Sequence, residues 1–67
     1  MNERAKLKGA LVAKGYTYDD MAHTLGISRT TVNAKMNGKS VFTVAEAAAI
    51  SEWLSLSDRE KVEFFLD

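Results

Sequence analysis

Residues 17–39 read TYDDMAHTLGISRTTVNAKMNGK. Met21, Ala22 and Leu25 recur at helical spacing, Gly26 interrupts them, and Ser28 opens a second short segment that ends at Asn37-Gly38. Two helices of about eight residues joined by a tight glycine turn are the ingredients of a helix-turn-helix. Thr17 followed by Asp20 has the outline of a capping box, with Asp in place of the more usual Glu or Gln. Asp19 and Asp20 both complement the positive end of the helix dipole, and their role as helix starters requires them to lie off any phosphate-binding face. Ile27 is expected in the core. Ser28 is expected to cap the second helix, with Thr31 at its third position. Val32 and Met36, one turn apart, face inward, so at about 100° per residue Thr30, Asn33, Ala34 and Asn37 take the far side, with Arg29 at the N-terminal tip.

N-terminal to this stretch, Leu7, Ala10 and Leu11 give an amphipathic helix over 3–14, stopped by Gly15. Thr43 with Glu46 and Ser57 with Glu60 are full capping boxes that open two further helices. Val44, Ala47, Ile50 and Leu54 are the expected buried stripe of the first, and Val62, Phe65 and Leu66 that of the second. Phe42 is expected to plug the core from the connecting loop. The result is an all-α chain of five helices in one domain, 1–67, with the helix-turn-helix at 17–39 and C-terminal helices over 43–66.

A chain of 67 residues buries only about 60% of its unfolded surface, so it has one modest core. It has no cysteine, no proline and 46% hydrophobic residues, which suits a helical domain without disulfides or a thiolate metal site. No apolar run approaches the ~20 residues of a membrane span, and Asn2-Glu3-Arg4 opens no signal peptide, so a cytoplasmic protein is expected. The net charge is zero, but it is split. Residues 1–40 carry seven Lys/Arg against three acids, a net +4, and residues 41–67 carry two against six, a net −4. Such asymmetry points to a basic binding face with an acidic outer side.

Five short helices with the helix-turn-helix second and third resemble the lambda-repressor-like DNA-binding domains. LGISRTTVNAKMNGK (25–39) is similar to the turn and recognition helix of Cro-like and repressor-like regulators of phages and prophages, the XRE family. Lys8-Gly9, NGK followed by Val41-Phe42-Thr43 with Glu46, and Phe64-Phe65 look like small single-domain members from Gram-positive hosts. One departure is Lys35, a position that is apolar in much of the family; it suggests a third helix rotated or extended slightly.

The resemblance implies a regulator that occupies a palindromic double-stranded operator in the bacterial cytoplasm, beside the nucleoid, as a homodimer. No cofactor and no small-molecule ligand are implied. A helix in the major groove meets base edges with its N-terminal residues. Arg29 suits guanine, Asn33 suits adenine, Thr30 suits a base or a thymine methyl, and Ala34 adds an apolar contact. Phosphates are expected at Thr17, Tyr18 and Ser28 on one edge and at Asn37, Gly38 and Lys39 on the other. The alternative is that Arg29 and Asn33 are ordinary solvated positions.

Two other function classes are open to comparison. For an enzyme, His23 is the only histidine, Asp19 and Asp20 diverge on a helix, and no nucleophile motif or metal spacing is present. A protein-binding module, such as an antitoxin or antirepressor, is the stronger rival. Trp53, Phe64 and Phe65 either complete a small core or form a dimer interface.

Overall fold

The computed structural model describes residues 4–65. Five α-helices account for most of them: α1 (Arg4–Ala13), α2 (Tyr18–Leu25), α3 (Arg29–Met36), α4 (Val44–Trp53) and α5 (Asp58–Phe65). No strand occurs among the described residues, so the chain is all-α as expected. The expected ends at Glu3 and Leu66 lie outside the described residues.

Local chemistry sets the helix ends. Thr17 Oγ1 accepts from the Asp20 N–H at 3.2 Å while Asp20 accepts from the Thr17 N–H at 2.8 Å. The Thr43/Glu46 box closes at 3.0 and 2.9 Å, and the Ser57/Glu60 box at 3.2 and 2.9 Å. Ser28 Oγ accepts from the Thr31 N–H at 3.1 Å. Each such cap is worth about 0.5–2 kcal/mol.

The C-terminal ends share one device. The N–H groups of Tyr16, Ile27, Lys39 and Leu56 reach back to the carbonyls of Leu11, Ala22, Ala34 and Ser51, at 2.9–3.1 Å. This six-to-one closure needs a left-handed residue just before the donor. Gly15, Gly26 and Gly38 supply it with φ of 76°, 69° and 80°. At the end of α4 the same position is Ser55, with φ 55°, the only non-glycine of positive φ among the described residues.

These ends aim the helices at one core of Leu7, Leu11, Met21, Ala22, Val32, Met36, Ile50, Leu54 and Phe64. α2 packs against α3 and α4, and α5 packs against α1 and α4. Tyr16, in the α1–α2 connection, stacks on Trp53 at 4.4 Å between ring centroids. Phe42 is half-buried as a plug, meeting Phe65 edge-on at 5.9 Å.

Two expected stripes are corrected. Val44 is 89% exposed. Steps of three residues from Val44 through Ala47 to Ile50 each fall short of a full turn, so Val44 ends about 120° from Ile50. Glu46 is within about 40° of Ile50 and takes the inward place. On α5 the buried residue is Phe64, while Val62 is 52% exposed and Phe65 half-buried. The inward direction of α5 is set by its neighbours α1 and α4, not by its own run of apolar residues.

The expected rotation of α3 has a different explanation. Val32, Lys35 and Met36 are all buried, at the i, i+3, i+4 spacing of an ordinary inward stripe. Lys35 therefore occupies a core position, and its charge is satisfied there. Its Nζ donates to the Val41 carbonyl at 2.9 Å and to Glu46 Oε1 at 2.9 Å. Its own carbonyl accepts from Arg4 Nε at 2.9 Å, and the Arg4 guanidinium lies 4.9 Å above the centre of the Phe42 ring. One small network thus ties α1, the end of α3, the following loop and the start of α4.

Candidate functional site

The exposed end of α3 is held from three sides. Gly26 ends α2 with its N–H directed to the carbonyls of Ala22 and His23, Ile27 packs against the core, and Ser28 starts α3. Arg29 and Thr30 follow at once and are exposed, so the fork of guanidinium donors and a hydroxyl project from the helix tip. Asn33 and Ala34 are half-buried. At Ala34 the backbone after the helix folds back, with the Lys39 and Ser40 N–H groups both donating to its carbonyl at 2.9 and 3.3 Å.

Asp19 is not clear of this surface, contrary to its expected place. Its Oδ2 lies 3.5 Å from Arg29 Nη1, with both side chains more than half exposed. Asp20 alone serves the cap: its Oδ2 takes the Thr17 N–H and, at 3.1 Å, the Thr17 hydroxyl. The two adjacent carboxylates therefore have separate jobs.

The flanking residues divide in the same way. The Thr17 and Ser28 hydroxyls are engaged in capping, Ser28 also sharing a 2.9 Å hydrogen bond with the Thr31 hydroxyl. Asn37, Gly38 and Lys39 are exposed at the far end of α3. Tyr18 and Asn37, distant in sequence, line one hollow of about 320 Å³ together with Arg4, Ala5, Lys8 and Met36. Sequence reasoning left out Lys8. The available signal was its spacing of four from Arg4, which puts two basic side chains on one face of α1.

Electrostatically, the support beneath the site is a nearly buried pair. Lys35 and Glu46 meet at 2.9 Å with side chains 9% and 16% exposed. The hydrogen bond from Lys35, aided by the Thr43 N–H, holds the Glu46 carboxyl below its ordinary value of 4.5 against the opposing effect of burial.

The expected dimer residues fare unevenly. Phe64 is 7% exposed and belongs to the core, and Trp53 is half-buried with Tyr16 stacked on it. Phe65 is half-buried. It lines an open groove of about 580 Å³ between α4 and α5, with Val44, Ala47, Ala48 and Leu56 as apolar walls and Glu52 and Lys61 among its polar residues. Among the described residues no three His, Cys, Asp or Glu gather in a metal-binding group, and no helix is long and apolar enough to cross a membrane. No family model, curated protein or solved structure matches this chain.

Proposed function

We propose that this chain is a sequence-specific DNA-binding regulator of the lambda-repressor-like, Cro type, in which α2, the Gly26–Ser28 turn and α3 form the helix-turn-helix. The observation that carries the reading is the exposed start of α3. Thr30 projects opposite the side of α3 that Val32, Lys35 and Met36 fix in the core, and Arg29 projects from the helix tip. A helix so held fits the major groove, about 12 Å wide, and Arg29 can meet guanine O6 and N7 with two parallel bonds. Occupying an operator in the bacterial cytoplasm would exclude polymerase or a competing repressor, with no cofactor or small ligand required.

Selection of bound duplexes from a random pool tests this directly, and a palindromic consensus is expected. Arg29→Ala is then expected to lose about 1–3 kcal/mol of discrimination at one base pair per half-site, while weak nonspecific binding persists. Unchanged affinity and selectivity would remove Arg29 from base reading.

Phosphate contacts are assigned to the Tyr18–Asn37 hollow and to Gly38 and Lys39, with Lys8 added from α1. Lys8→Ala, like Lys39→Ala, is expected to make the log-log salt slope of binding shallower by about one unit, since each phosphate neutralised contributes about 0.9. A slope unchanged from the parent would move that contact elsewhere.

The groove between α4 and α5 favours a second reading, a protein-binding module. For the DNA-binding reading, its simplest occupant is a second copy of this chain, because two-fold operators are read by two-fold dimers. Val44, Leu56 and Phe65, rather than Trp53 and Phe64, then carry the association.

A further inference from the structure

We propose that Asp19 is a specificity-determining residue, one that keeps Arg29 aimed at a base edge and away from phosphate; this rests on the DNA-binding reading above. Three observations meet here. The Asp19 carboxylate lies 3.5 Å from the Arg29 guanidinium. Asp20 already supplies the α2 cap, so the cap does not require Asp19. The pair is solvent-exposed on both sides, and an exposed ion pair contributes little to folding stability. A carboxylate at the tip of a DNA-reading surface also repels the phosphates that supply most nonspecific affinity. Its benefit lies in selectivity.

The guanidinium has five donors in a fixed fork. With Nη1 turned towards Asp19, the remaining donors can pair with guanine O6 and N7 in one plane. A nearby phosphate is the main competitor for the same guanidinium, and the carboxylate raises the cost of turning to it. Asp19 thus lowers binding everywhere and lowers it least where Arg29 finds its guanine.

The test compares the parent, Asp19→Asn, Arg29→Ala and the double variant on two probes: the consensus duplex selected by the parent, and that duplex changed at the base pair assigned to Arg29. Circular dichroism verifies that each variant is folded. Asp19→Asn is expected to bind the altered duplex about eightfold more tightly at 0.1 M salt, with a salt slope steeper by about one unit, as one more effective positive charge requires. Its preference for the consensus is expected to fall about 1.5- to fivefold, the coupling of an exposed close pair. In the Arg29→Ala background the same change is expected to leave that preference unaltered. A consensus preference equal to the parent's, or the same loss of preference without Arg29, overturns the assignment while leaving DNA binding intact. Failure of the parent to select any consensus overturns the DNA-binding reading, and this inference with it.

Discussion

Glu46→Gln is expected to lower the unfolding free energy by about 3 kcal/mol, because removing one partner of a buried ion pair strands the other charge. Lys35 is 7% exposed, and among the described residues its other hydrogen-bond acceptor is the Val41 carbonyl. Glutamine can still accept the Thr43 N–H, so the loss isolates the charge rather than the cap. The double variant Lys35→Met/Glu46→Gln, which removes both charges while keeping an acceptor for the Thr43 N–H, is expected to be near neutral, within about 1 kcal/mol of the parent. Denaturant unfolding of the two variants distinguishes them. Equal losses would mean that the ammonium contributes through its hydrogen bonds and not through the cost of leaving it unpaired. The effect carries a pH signature. A carboxylate whose folded-state value is depressed contributes stability that is fully present above the unfolded value, near 4.5, and is lost as pH falls through the folded one. The gap between parent and Glu46→Gln should therefore be constant near neutrality and close below pH 4.5.

Phe64→Ala is expected to cost about 3–4 kcal/mol, the usual penalty for removing a buried phenyl ring and leaving its cavity. A chain of this size has a total stability of only about 3–10 kcal/mol, so the variant should be largely unfolded or close to it at room temperature. Phe64 is the only buried residue of α5, and its ring anchors that helix against α1 and α4. Phe65→Ala should cost clearly less, since Phe65 is half-buried and meets Phe42 by one edge. Thermal unfolding followed by circular dichroism ranks the two. If Phe64→Ala melted like the parent and changed only self-association, its assignment to the core would fail.

The helix starts were legible in the sequence because a cap is a local event. Thr17 with Asp20, Ser28 with Thr31, Thr43 with Glu46 and Ser57 with Glu60 each act within four residues, and all four are present. Glycine likewise marked the ends at Gly15, Gly26 and Gly38, whereas Ser55 adopts the same conformation without a glycine to announce it. Inward directions were less legible, being decided by packing between helices. Val44 failed because steps of three drift around a helix, and Val62 failed because α5 takes its orientation from partners remote in sequence. Lys35 reads as the sign of a rotated or extended third helix until Glu46, on another helix, is placed beside it. At the candidate site, Thr30 is exposed as the periodicity requires, and Arg29 is exposed because it stands at the helix tip. The Asp19–Arg29 pair and the Lys8 contribution both depend on how separate helices meet, and no single segment contains that.

The stack of Tyr16 on Trp53 gives the molecule a built-in optical reporter. Trp53 is the only tryptophan, and the ring that covers it belongs to the connection between the first two helices. Its emission therefore senses whether two distant parts of the chain have been brought together, whereas far-ultraviolet ellipticity senses whether helices exist. Coincidence of the two signals during unfolding identifies a single cooperative transition. Separation of the two signals would reveal helices that persist after the stack has opened, and so a chain whose local capping outlasts its core.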